Sequence, residues 1–111
     1  MSLLYQDPSM SHDEAADLLA SDEEANIIAA LVSIGLNEQD RVWAEAICLS
    51  RLSSDSAAVA ASAITALGHI ARRHGVLDMK TVIPALTTAK KNFPALEATV
   101  ADTLDDIAMF T

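Results

Sequence analysis

Residues 55–75 read DSAAVAASAITALGHIARRHG, and this stretch decides the fold. Val59, Ala63, Leu67 and Ile70 recur at steps of four, four and three, which places them on one face of a helix. Asp55 stands where a helix opens, and Gly75 follows His74 where one stops. Ala57, Ala58, Ala60, Ala61, Ala63 and Ala66 favour helix and let a neighbouring helix come close. Adding 37 to the four apolar positions gives Leu96, Val100, Leu104 and Ile107, a second apolar face with the same steps. Val42, Ala46, Leu49 and Leu52 shifted by 37 give Met79, Ile83, Leu86 and Ala89. Subtracting 33 from Ser54, Asp55, Ala63, Leu67 and Gly68 gives Ser21, Asp22, Ala30, Ile34 and Gly35. The unit is a helix pair of about 33–37 residues, and one such pair cannot bury its apolar face without stacking on another.

The remaining signals extend this pattern. Ser11 and Glu14 form a capping-box pattern for a helix to about Ala20, and Ser21 with Glu24 repeats it for a helix ending at Gly35. Asn37 opens a helix to about Leu52, Asp78 one to about Lys91, and Pro94 one to about Phe110. Pro84 predicts a kink or an early boundary. No segment alternates with period two, so no strand is expected. The expected architecture is all-α, a short α-solenoid of five to six antiparallel helices (an α-α superhelix). It forms one domain, residues 11–111, after a loose lead-in at 1–10, with helices 12–20 and 94–110 as its caps.

Composition narrows the function. Alanine supplies 21 of 111 residues, while Gly and Pro supply three each. The single cysteine, Cys48, rules out an internal disulfide and suits a cytoplasmic protein. Residues 1–20 have neither a basic start nor an apolar run of signal-peptide length, so export by that route is not expected. No 18-residue apolar run is free of charge, so no membrane span is expected. Tyr5, Trp43, Phe93 and Phe110 are too few for a base-stacking surface. A net charge of −9 disfavours nucleic acid or an anionic membrane as a direct partner, but it suits a basic protein. The charge is segregated. Residues 1–40 hold nine acids and no Lys or Arg, residues 41–91 are net +4, and residues 92–111 hold Glu97, Asp102, Asp105 and Asp106 without a base. Helix dipoles account for acids in first turns, such as Asp13, Glu14, Glu23 and Glu24, but not for Asp102, Asp105 and Asp106 late in their helix.

The run from Asp55 through Val59, Ala63, Ala66, Leu67, Gly68, Ile70 and Arg72, followed by Val82, Ile83, Pro84 and Leu86, resembles HEAT repeats. The likeness spans about residues 21–110. Ala60 stands where such helices usually carry a basic residue. Leu67 to Arg72, His74, Gly75, Leu77 and Asp78, with the ending Leu104 to Phe110, is similar to small one-domain bacterial HEAT-repeat proteins. In the usual form of that ending an acid stands where this chain has Ala108. Many such proteins are encoded beside polymorphic toxins and resemble immunity proteins, including those of contact-dependent growth inhibition systems. The resemblance implies a protein-binding module, not an enzyme, that neutralises a cognate toxin domain in the cytoplasm. It implies a single copy per toxin domain and no cofactor. The repeat pattern alone also fits an adaptor joining two cytosolic proteins.

Candidate residues follow. Toxin domains of this sort are often nucleases, and a nuclease needs a positive face for phosphates. Asp13, Glu14, Asp17, Glu24, Asp102, Asp105 and Asp106 are therefore expected to meet a basic partner as phosphate mimics. Trp43 is either core or an apolar anchor for that partner. His69 and His74 are five residues apart and do not share a helix face. With no Cys-x-x-Cys pattern either, no metal site is expected. Cys48 lies among Ala46, Ile47 and Leu49 and reads as a buried, inert thiol. Three scattered glycines make no phosphate loop, and the Arg72–Arg73 and Lys90–Lys91 pairs suit helix C-termini.

Overall fold

In the computed structural model, which describes residues 10–111, the chain forms six helices: α1 (His12–Ala20), α2 (Glu24–Asn37), α3 (Arg41–Arg51), α4 (Ala57–His74), α5 (Met79–Asn92) and α6 (Glu97–Phe110). No strand occurs among the described residues, and no helix there is long and apolar enough to cross a membrane. The proposed lead-in lies outside the described residues up to residue 9. Met10 packs against the core, and its N–H donates to the Ser33 hydroxyl at 3.1 Å.

Local chemistry sets several helix ends. The Ser11 hydroxyl accepts from the Glu14 N–H at 3.1 Å, while the Glu14 carboxylate accepts from the Ser11 N–H at 2.9 Å. The Ser56 hydroxyl caps α4 by accepting from the Val59 N–H, and Asp40 caps α3 by accepting from the Trp43 N–H. Gly75 closes α4 at φ +70°, a conformation glycine adopts without strain.

Three α-hairpins, α1–α2, α3–α4 and α5–α6, stack so that α2, α4 and α6 form one layer. Side-chain pairings show that this layer is parallel. Glu24 at the start of α2 meets Ser56 at the start of α4, and Arg73 at the end of α4 reaches the carbonyls of Gly35 and Glu38 at the end of α2. Between α4 and α6, the Thr103 hydroxyl donates to the Ile64 carbonyl at 3.0 Å, and Arg72 lies over the Phe110 ring. Leu31, Ile34, Ile64, Leu67, Ile70, Leu86 and Ile107 are fully buried among these helices. Each contributes about 1.5–3 kcal/mol through the apolar area it removes from water.

Several sequence expectations are corrected. Ser21 does not cap α2: Asp22 takes φ +65°, and the Ser21 hydroxyl instead donates to the Leu18 carbonyl at the end of α1. Gly35 is not a stop, since α2 runs on to Asn37 and α3 starts only after Asp40. Gly35 is buried where α2 crosses α4, and a Cβ there would sit 2.9 Å from the Ala66 Cα. Its repeat counterpart Gly68 holds the matching place between α4 and α6, facing Thr103 and Asp106. Helix α5 continues through Pro84, and a 3₁₀ turn at Pro94–Leu96 precedes α6. Val42 and Ala46 are exposed, because α3 buries Ala44, Glu45 and Cys48 instead.

Candidate functional site

The parallel layer leaves a trough on its outer surface. One cavity of about 240 Å³ is lined by Val32 of α2, Ala61, Thr65 and His69 of α4, and Thr99 of α6. A second, of about 450 Å³, shares His69 and adds Leu36, Arg72 and Phe110. Small side chains on α4 form the floor because the bulky apolar residues of that helix point into the core. Val32, Leu36 and Phe110 are 40%, 39% and 41% exposed, which is high for residues of their size. Sequence reasoning did not single these residues out. Their only signal was that apolar positions on α2 and α6 exceed what one buried stripe needs.

The polar groups around the trough are unevenly partnered. Arg73 is engaged by the Gly35 and Glu38 carbonyls at 3.1 and 2.9 Å, and the Arg72 guanidinium sits 5.7 Å from the Phe110 ring centre. Burial, reinforced by Arg72 and Arg73, holds the His69 imidazole below its usual pKa, with Asp106 pulling the other way. His69 is therefore neutral near pH 7 and is half-buried, as a packing residue would be. Asp102 and Asp105 are exposed and Asp106 is half-buried, and none of the three has an ion pair among the described residues.

The other sequence-selected residues lie elsewhere. Asp13 and Asp17 are exposed on α1, which packs on α2 at the opposite end of the stack from α6. The structure thus does not bring the two acidic groups together. Glu14 is held in the α1 capping box, which lowers its pKa through the hydrogen bonds from Ser11. Glu24 accepts from the Ser56 hydroxyl, tying the start of α2 to the start of α4. Trp43 is half-buried and stacks on His12, with ring centres 3.9 Å apart, while His12 Nδ1 lies 3.2 Å from the Glu38 carboxylate.

Sequence reasoning also missed a buried carboxylate. Glu45, 4% exposed, pairs with Arg41 and accepts from the Asp78 N–H, joining α3 to the start of α5. Cys48, one turn on, is fully buried, and its burial, reinforced by Glu45, pushes its thiol up to about 12. Such a thiol is inert near neutral pH. No group of three His, Cys, Asp or Glu side chains among the described residues is arranged to hold a metal ion. The arrangement is a trough with charges of both signs around His69, Arg72 and Arg73 against Asp106. Such a surface can bind another molecule.

Comparison with known proteins places the whole chain. No protein-family model matches it, and no curated protein matches its sequence. Among solved structures, it is similar to a chain from the crystal structure of a CDI complex from Cupriavidus taiwanensis LMG 19424. The match has a TM-score of 0.81 and 30% sequence identity, and it covers 96% of each chain.

Proposed function

This chain belongs to the same family as the matched chain of the CDI complex, and on that premise we propose that it is an immunity protein. In this reading it binds a cognate toxin domain in the cytoplasm and blocks it without catalysing a reaction. The observation that carries the proposal is the likeness to a chain of that complex over 96% of both chains at 30% identity. A net charge of −9 and the unpaired Asp102, Asp105 and Asp106 support a basic partner, such as a nuclease whose positive face otherwise holds phosphates. The acids of α6 make direct contact, as phosphate mimics. Asp13 and Asp17, at the far end, contribute attraction over distance, which salt weakens. Trp43 stacks on His12 between α3 and α1, and the accessible part of its half-buried ring serves as an apolar contact for the partner.

Co-expression tests this reading. The C-terminal toxin domain of a large secreted protein encoded beside this chain is induced in a host lacking its own immunity protein. Growth restored by this chain, and not by an unrelated acidic helical protein, supports the proposal. Continued growth arrest with the chain present in excess rejects it.

A further inference from the structure

The two cavities meet at His69 and make one trough along α4, walled by Val32 and Leu36 of α2 on one side and by Phe110 of α6 on the other. We propose that its occupant is the chain's own N-terminal segment, residues 3–7, laid across α2 as a strap over these apolar side chains. Position selects this occupant. Residues 1–9 lie outside the described residues, and the described chain begins at Met10, whose N–H donates to the Ser33 hydroxyl of α2 at 3.1 Å. At about 100° per residue, Leu36 and Val32 lie roughly 60° and 100° round α2 from Ser33, in the same direction. The segment therefore joins the fold on the flank of α2 beside its trough wall, near the level where Gly35 meets Ala66 of the floor. A spacing of about 8–10 Å separates packed helices such as α2 and α4. An extended chain spans about 3.3 Å per residue, so Asp7 reaches about 10 Å from Met10 and Leu4 about 20 Å, enough to cross α2 and enter the trough. Pro8 biases Asp7 toward the extended backbone that this path requires.

Chemistry selects the same segment. Leu3, Leu4 and Tyr5 form an apolar run, and Asp7 is the one charged side chain of residues 1–9. Arg72 and Arg73 border the wider cavity and keep their charge while they contact the Phe110 ring and the α2 carbonyls. Burial lowers the His69 pKa most, and Arg72 then acts on it more strongly than Asp106, so the field in that cavity is positive. An apolar run followed by one carboxylate fits this lining, with Asp7 beside the arginines and Leu3 to Tyr5 further along, against Val32. Tethering strengthens a contact of this size. A segment on a short linker acts at an effective concentration on the order of millimolar, which a second copy in dilute solution does not match.

Disulfide trapping tests the strap. Leu4→Cys is combined either with Thr65→Cys, exposed on the trough floor, or with Val42→Cys, 66% exposed on α3 outside the parallel layer. Val42 is a fair control, because its neighbour Trp43 stacks on His12, two residues from Met10, so an undocked segment reaches it as readily. Cys48 is fully buried, with its thiol pushed up to about 12, and stays out of the exchange. Each protein is oxidised with glutathione disulfide in dilute solution. Non-reducing electrophoresis and mass identify the products, and circular dichroism melting checks folding. The expected result is an intrachain disulfide that forms about tenfold faster or more with T65C than with V42C, a lead that Leu3→Ser with Tyr5→Ser removes. Equal rates, a preference for V42C, or a lead that survives the serine changes overturns the strap. A disulfide joining two chains through T65C assigns the trough to a second copy and overturns it too. Each of these outcomes leaves the immunity reading standing.

Discussion

Replacing Gly35 with alanine should destabilise the protein, whereas the same change at Gly68 should not. A Cβ on Gly35 would lie 2.9 Å from the Ala66 Cα, 3.0 Å from its Cβ and 3.4 Å from its carbonyl oxygen. Carbon atoms in good contact sit about 3.5–4.0 Å apart, so α2 and α4 must separate by roughly 0.5–1 Å. The obstruction is backbone on a buried helix, and no rotamer change relieves it. Because backbone and not a movable side chain is in the way, the overpacking cost lies in the upper part of the usual range, about 2–3 kcal/mol, and the gain in helix propensity returns about 1 kcal/mol. The net loss expected for Gly35→Ala is about 1–2 kcal/mol. At Gly68 the nearest atom is Asp106 Oδ2 at 3.1 Å, the end of a side chain that can swing toward solvent. Propensity should then dominate, leaving Gly68→Ala between neutral and about 1 kcal/mol more stable. Urea unfolding at unchanged m-value reads both differences, and thermal melting should show about 4–8 °C per kcal/mol. If Gly35→Ala is as stable as the wild type, or Gly68→Ala loses as much as Gly35→Ala, the reasoning about the helix crossing is wrong.

Glu45→Ala should cost about 2–3 kcal/mol, because it leaves the Asp78 N–H and Arg41 without their buried acceptor. Glu45→Gln should cost less, since its amide oxygen can still accept, and urea midpoints give both values. Cys48 predicts a pH dependence. The folded thiol holds its proton up to about 12, while the unfolded chain releases it from about 9.0, so its contribution is intact below pH 9.0 and is lost as pH rises toward 12. Urea midpoints measured across that window should fall less steeply for Cys48→Ala than for the wild type, and equal slopes would contradict the burial argument. Asp102→Lys with Asp105→Lys should slow association with the toxin domain at low salt while melting stays unchanged. Stopped-flow rates that do not respond would remove the electrostatic part of the proposal.

How much of this was legible in the sequence depended on range. Helix number, the Ser11–Glu14 capping box and the Gly75 stop follow from neighbours within four residues, and the structure shows them. The 33-residue offset also carried real information. It pairs Gly35 with Gly68, and both prove to be helix-crossing points. What local reading missed was set by contacts across the stack. Gly35 resembles a stop signal, yet its role is to let α4 approach. Val42 and Ala46 fit an apolar stripe, but the buried face of α3 is turned toward Ala44 and Cys48. Glu45 looks like a surface charge because its partner, the Asp78 N–H, is 33 residues away. The trough was invisible for the same reason. It is the space left when three helices lie parallel, and no one helix encodes it.

Everything proposed about function requires that this chain be held by a toxin domain. Calorimetric titration of the purified chain with the cognate toxin domain measures that directly. A one-to-one complex of nanomolar affinity, whose formation removes the toxin's activity, is the expected result. Absence of binding at micromolar concentrations of both proteins, or binding that leaves the toxin fully active, would contradict it.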